Sequence, residues 1–412
     1  MGKRVLLLLA VGLVAAGCGG GGPRSAAGSK LTDDKLVLGV LNDQSGVYAQ
    51  LSGKNSVEAV KLAIEDFKTK YGDKAITTNI TVETADHQNK PDLANTRAAE
   101  MYDRSGVDII LDVPTSSAAL KVADVAKQKK KLYFNISGAT TELTGKSCNK
   151  YTFHYAYDTA MLANGTGTVT TANGAKNWYI VYPNYAFGQD MEKSFRAAIG
   201  KAGGNVVASD ATPFPNDNFS TFLLKAPTLT PKPDVLGTMQ AGADLVNLVK
   251  QYNEFKLRDK GVGLAVGLMF LTDIHSLTPD ALAGTTFTDA WYWNFDQQNR
   301  AFADRFFGKT GQRPTFAHAG NYSAAMQYLE AVQAAGSDDA DKVVANLEGK
   351  SVNDFFLRNG TFRAVDHRVI HDAYLAQVKP GTEVKEPWDY EKILKTIPAA
   401  DAFRAPSADC KL

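Results

Sequence analysis

The stretch from Ile109 to Thr144 decides the fold. It opens with an apolar run, Ile109-Ile110-Leu111-Asp112-Val113, followed by Pro114-Thr115-Ser116-Ser117 and a helix-like segment from Ala118 to Lys131. A second apolar run, Leu132-Tyr133-Phe134-Asn135-Ile136, leads into another small, hydroxyl-rich turn, Ser137-Gly138-Ala139-Thr140-Thr141. The pattern is strand, hydroxyl turn, helix, strand, hydroxyl turn. In a parallel sheet both turns lie at the carboxyl edge, where open α/β folds bind ligands. Hydroxyls beside the free N–H groups of a helix start make a seat for a carboxylate. No nucleophile, base or metal ligand accompanies this seat, so it is built to hold rather than to react.

The same alternation runs outward in both directions. Leu36 to Leu41 suits a strand buried on both faces. A small polar turn, Asn42 to Tyr48, follows it, and then a helix with Val57, Val60, Ile64 and Phe67 on one side. Asn79 to Ala85 and Asp92 to Arg104 give the next strand and helix. After Tyr155 the rhythm restarts: Trp178 to Tyr182, Val206 to Ala208, Asp234 to Met239, Leu264 to Phe270 and Phe287 to Trp291 read as strands. Strands alternating with helices imply doubly wound parallel sheets. A chain of 412 residues is long for one core, so two α/β lobes are expected. Residues 36–157 and 289–362 are assigned to the first lobe, 158–288 and 363–400 to the second, and 401–412 to a tail. The first lobe is thus interrupted by the second.

Residues 1–17 stand apart from the fold. Lys3 and Arg4 precede an apolar run too short to span a membrane, which needs about 20 residues. Ala15-Ala16-Gly17-Cys18 resembles the lipobox of bacterial lipoproteins, which would make Cys18 a lipidated first residue; a plain signal peptide is the alternative. Residues 18–35 read as a flexible tether. If Cys18 carries lipid, Cys148 and Cys410 are left as a pair for a disulfide in an oxidising compartment. The 45 basic and 44 acidic side chains nearly balance, and no extended basic surface suggests nucleic acid. Lys127 to Lys131 closes a helix, where cations suit the dipole.

With these residues in view, the chain resembles bacterial solute-binding proteins of the type I periplasmic class, in the leucine/isoleucine/valine-binding branch, from about Leu36 to about Ile397. The carriers of the resemblance are Ser45-Gly46-Val47-Tyr48, Thr115-Ser116-Ser117, Ile136 to Thr144, Tyr185-Ala186-Phe187-Gly188, and the stretch from Tyr292-Trp293-Asn294 to Phe306-Phe307-Gly308-Lys309-Thr310-Gly311. The resemblance implies two lobes joined by three chain crossings, a solute held between them, delivery to the permease of an ABC importer, and a monomer without cofactor. It places a polar or carboxylate end of the solute on Ser116, with Ser117 or Thr115 beside it. Ala139, Thr141 and, shifted by one position, Thr140 supply further contacts. Tyr48 covers the solute from the first lobe. Phe187 closes from the second, where amino-acid binders carry a Tyr; Tyr185 is placed to compensate. Asp273 is the nearest match to the acid that pairs an ammonium. A branched-chain amino acid, an aromatic acid and another small carboxylate or amide all stay open.

Simpler readings stand beside these. Ser116 and Thr141 also suit helix caps, Tyr48 and Phe187 also suit a core, and Gln240 faces either cleft or solvent. Trp291 and Trp293 are assigned to the core. An enzyme would need a Ser or Cys near a His; the six histidines are scattered without an HExxH or GxSxG pattern. His367 and His371 lie in a loop-like region and are not expected to hold a metal. Gly308-Lys309-Thr310 lacks the first glycine of a phosphate loop. A sensor domain that hands its solute to a signalling partner is the third class.

Overall fold

The computed structural model describes Gly2 and residues 31–412. Cys18 lies outside the described residues. β1 (Leu36–Asn42) is buried along its whole length, which is why it is almost wholly apolar. It is followed by α1 (Asn55–Tyr71), β2 (Ile80–Asp86), α2 (Pro91–Asp103), β3 (Ile109–Asp112), α3 (Ser116–Lys129), β4 (Leu132–Asn135) and β5 (Thr152–His154). The five strands are parallel, in the order β2-β1-β3-β4-β5. The order reverses between β1 and β3, and the turns leaving those two strands form the crevice at the sheet edge. They carry Tyr48 and Ser116.

The chain then enters a second lobe. Asp158 caps α4 (Thr159–Leu162) by accepting from the Met161 N–H at 2.8 Å. α4 continues through one wide π turn (Ala163–Gly167) into α5 (Thr168–Ala172). The sequence pattern did not suggest a helix here, because Thr, Asn and Gly are weak helix formers. The glycine is needed: a Cβ on Gly165 would stand 2.1 Å from Thr288 Oγ1. β6 (Asn177–Pro183), α6 (Ala186–Lys201), β7 (Asn205–Thr212), α7 (Ser220–Lys225), β8 (Val235–Thr238), α8 (Gly242–Glu254) and β9 (Gly263–Val266) complete a parallel sheet of order β7-β6-β8-β9. Its reversal lies between β6 and β8, so the turns at Tyr185–Phe187 and Gln240–Gly242 face the crevice of the first lobe. β9 is shorter than the apolar run predicts; Gly267 to Phe270 leave the sheet and lead to α9 (Leu271–Leu277) and α10 (Pro279–Leu282).

β10 (Thr286–Asp289) leads back to the first lobe, where α11 (Gln297–Thr310), α12 (Phe316–Ala335) and α13 (Ala340–Leu347) pack. Tyr322 and Arg305 both bond Asp66 of α1, at 2.6 and 2.7 Å, and fasten these helices to the first sheet. β11 (Ser351–Val352), β12 (Gly360–Phe362) and β13 (Val369–Ile370) form a small antiparallel sheet. Residues 363–370, expected in the second lobe, therefore pack with the first: β13 pairs with β12, and Arg368 bridges to His154 at the end of β5. β14 (Ala373–Val378) and β15 (Glu391–Ile397) make an antiparallel sheet of order β10-β14-β15, and α14 (Ala399–Ala402) precedes the C-terminus.

The molecule is two α/β lobes of parallel sheet linked where the chain crosses near Ala156, Ala290 and Asp372. The crossings hold one another. The His371 ring nitrogen lies 2.6 Å from the Ala156 carbonyl, and the fully buried Arg368 guanidinium pairs with Asp158 at 3.0 Å. Trp291 and Trp293 are buried at the second crossing, donating to the Phe355 and Trp388 carbonyls. Cys148 and Cys410 form the expected disulfide, with Cα atoms 5.5 Å apart and a sequence separation of 262. The tail it ties down is partly buried through Phe403, which packs on Arg368.

Candidate functional site

The two crevices face each other and enclose a narrow cavity of about 10 Å³, room for about one water, lined by Tyr48, Leu51, Pro114, Ser137 and Tyr157 from the first lobe and its crossing, and by Tyr185, Phe187, Ala241, Leu268 and Phe270 from the second. The lobes touch around it. The Tyr48 and Tyr185 hydroxyls lie 2.5 Å apart, and the Ala243 N–H at the start of α8 donates to the Val47 carbonyl at 3.3 Å. Gly242 permits that approach: it has φ +58°, and a Cβ there would stand 2.6 Å from the Val47 oxygen.

The sequence-derived residues fall into three groups. Tyr48, Tyr185 and Phe187 line the cavity. Ser116 and Ser117 stand at the start of α3, just beyond Pro114 in the wall. Thr115, not Ser116, takes the extended cap position, and its hydroxyl bonds Asn89 instead of the helix. Ser116 is fully buried and its Oγ has no partner within the protein. The remaining residues bond within the protein, in whole or in part. The Ala139 carbonyl accepts from Thr159 N at 2.9 Å, and Thr140 Oγ1 accepts from Glu142 N at 3.3 Å. The Thr141 N–H and hydroxyl donate across the lobes to the Asp190 carboxylate of α6, at 2.6 and 3.0 Å. Gln240 is fully buried; its Nε2 donates to Thr212 at 3.1 Å while its Oε1 has no partner. Asp273 accepts from the Phe270 N–H at 2.9 Å and caps α9.

Ser137, Tyr157 and Phe270 also line the cavity, although the sequence pattern singles out none of them. Ser137 belongs to the hydroxyl turn, and Phe270 ends an apolar run. Only the folded hinge brings Tyr157 alongside them. The Tyr157 hydroxyl donates to the Ser137 carbonyl at 2.7 Å, and the Ser137 hydroxyl donates to Asp112. Asp112 is wholly buried, and burial raises its pKa against the opposing hydrogen bonds from Ser137 and Asn42. Asp112 and Val113 sit at φ +84° and +62°, a strained pair of residues where β3 turns into the crevice.

Buried carboxyls stand near this space without entering the wall. Burial pushes Asp244 up to about 7 and Asp273 up to about 7. Asp244 accepts from the Asn216 N–H at 2.9 Å. Burial likewise raises the Tyr48, Tyr157 and Tyr185 phenols, which stay neutral. The arrangement is an aromatic chamber between the two lobes. Among the described residues no group of three or more His, Cys, Asp or Glu side chains is arranged to hold a metal.

The family model for periplasmic binding proteins matches residues 35–383. A periplasmic binding protein from Burkholderia mallei is 42% identical and superposes with a TM-score of 0.85, covering 90% of this chain and 96% of its own. A branched chain amino acid ABC transporter periplasmic ligand-binding protein from Burkholderia xenovorans LB400 is 36% identical with a TM-score of 0.80, covering 91% and 100%. The Leu/Ile/Val-binding protein homolog 6 of Brucella melitensis is 25% identical over 331 residues, 79% of this chain and 83% of that protein. The chain belongs to the periplasmic binding protein family: it is an extracytoplasmic, non-enzymatic protein that captures a small solute between two lobes, as the substrate-binding part of an ABC importer does.

Proposed function

We propose that this protein is the lipid-anchored receptor of an ABC importer, that it closes as a monomer around one small solute with a carboxylate or strongly polar end, and that it presents the closed form to the permease. The observation that carries this reading is the Ser116 hydroxyl. It is fully buried, unpartnered, and set in the first turn of a 14-residue helix beside the cavity wall. A buried hydroxyl without a partner costs free energy, and an anionic group from the solute would satisfy it together with the first N–H groups of α3. The Burkholderia xenovorans relative, whose name places it in an ABC transporter, supports the importer assignment. One chain supplies both walls of the cavity, which supports a monomer. The anchor rests on Cys18 and the small residues before it.

A thermal-shift screen of small carboxylates, amino acids and amides tests the receptor reading, because a solute bound only by the native chain raises the melting temperature. A panel with no hit would defeat it. Membrane fractionation of Cys18→Ser tests the anchor: release from membranes or failed maturation is expected, and unchanged partitioning counts against it.

A further inference from the structure

We infer that the solute is a small, flat aromatic acid without an ammonium group, a conclusion that rests on the receptor reading above. Half of the cavity wall is aromatic: Tyr48, Tyr157, Tyr185, Phe187 and Phe270. These rings are held by a second layer. Phe214 stacks on Tyr185 with centroids 4.3 Å apart and reaches Tyr48 at 5.8 Å. Phe316 stacks on Phe270 at 4.5 Å and meets the edge of Tyr157 at 4.9 Å. Rings fixed on both sides form a slot of set shape, and aromatic pairs gain about 0.5–1.5 kcal/mol beyond the area they bury. The space left between these rings in this closed form is narrow, and a narrow space between ring faces suits a flat group better than a branched one.

The charge pattern points the same way. No lining residue carries a charge. The nearby buried carboxyls stay out of the wall and accept bonds from the protein: Asp112 from Asn42 and Ser137, Asp244 from the Asn216 N–H, and Asp273 from the Phe270 N–H. A buried ammonium left without a partner costs several kcal/mol. A carboxylate, in contrast, has the free Ser116 hydroxyl and the start of α3.

Calorimetry on the full mature chain with five probes tests the inference: benzoate, 3-phenylpropanoate, phenylalanine, leucine and 4-methylpentanoate. Phenylalanine differs from 3-phenylpropanoate by the ammonium, and 4-methylpentanoate lacks the ring. One of the two ring acids should bind at least tenfold more tightly than either amino acid and than the alkyl acid. Phe187→Leu should weaken the ring acid by about tenfold while the melting temperature stays within a few degrees. Leucine, phenylalanine or the alkyl acid binding as tightly as the ring acids would overturn the inference and leave the receptor reading intact. The same follows if all five probes fail while another compound of the wider thermal-shift panel binds. Failure of that whole panel overturns both.

Discussion

The hydroxyls of Tyr48 and Tyr185 meet at 2.5 Å across the cleft, one phenol from each lobe. Each lies at the switch point of its own sheet, Tyr48 in the turn after β1 and Tyr185 in the turn after β6. The contact joins the two lobes beside the cavity that both residues line.

Tyr48→Phe and Tyr185→Phe should each weaken solute binding by roughly tenfold. Each change leaves the other buried hydroxyl without its partner, at a cost of about 1–3 kcal/mol in the closed state, and about 1.4 kcal/mol is one decade of affinity. The double variant should lose less than the sum of the two. Calorimetry on the full cycle checks this; strictly additive losses would mean that the two phenols act independently.

The disulfide closes a loop between residues with a sequence separation of 262. The chain-entropy model assigns such a loop about 5 kcal/mol, an upper figure because it neglects residual structure when unfolded. Reduction, or Cys148→Ser with Cys410→Ser, should shift the urea midpoint to lower concentration. Phe403 and Arg404 keep the tail docked through Arg368 and the Thr141 carbonyl, so the fold itself should persist. An unchanged midpoint would show that the bond contributes nothing to stability.

The strands and their carboxyl-edge turns were legible because buried parallel strands read as unbroken apolar runs. Leu36 to Leu41 and Ile109 to Leu111 need no tertiary information to be recognised. Tyr48, Tyr185 and Phe187 were legible because each sits in a turn directly after such a run. Thr141 illustrates the limit. Its hydroxyl is chemically equivalent to those beside it, and only the docking of α6 shows that it meets Asp190. Asp273 also follows an apolar run, yet it turns back to cap α9, and Gln240 bonds Thr212 through its Nε2 while its buried Oε1 stays without a partner. The helix from Thr159 to Ala172 was hidden by its Thr and Gly content, since packing against Thr288 rather than local propensity stabilises it.

Asp273 makes the stability of the protein depend on pH. Burial lifts its carboxyl from 3.8 to about 7. Between those values the folded chain keeps a proton that the unfolded chain has released, so this group's contribution falls as pH rises through the window and is flat above it. His318 acts in the opposite sense. Burial lowers it from 6.5 to about 4, so stability is lost as pH falls through that range. Asp273→Asn removes the first effect while an amide oxygen still caps α9. The variant should gain stability over the parent at pH 8 by a few kcal/mol, since each tenfold change in proton affinity is worth about 1.4 kcal/mol, and little at pH 4. Urea titrations at both pH values decide this; an equal difference at the two would refute the assignment.

Ser116 and Thr141 separate solute binding from lobe closure. Ser116 Oγ is buried and bonds nothing in the protein, and Thr115 occupies the cap position of α3. Ser116→Ala therefore removes no internal hydrogen bond and should leave the melting temperature of the empty protein nearly unchanged. If the solute's charged end occupies this seat, the lost bond is worth about 1.5–3 kcal/mol, and affinity should fall roughly tenfold to a hundredfold. Thr141→Ala removes a hydroxyl that donates to Asp190 at 3.0 Å, although the Thr141 N–H still donates to that carboxylate. Asp190 also keeps the Thr159 hydroxyl at 2.7 Å. The loss should therefore be smaller, about 1 kcal/mol, and should act by loosening the closed form rather than by removing a solute contact. Small-angle scattering separates the two. With saturating solute, Ser116→Ala should still contract to the compact profile, whereas Thr141→Ala should keep a larger share of open molecules. Unchanged affinity in Ser116→Ala would remove the seat from the site and leave its buried hydroxyl without a role.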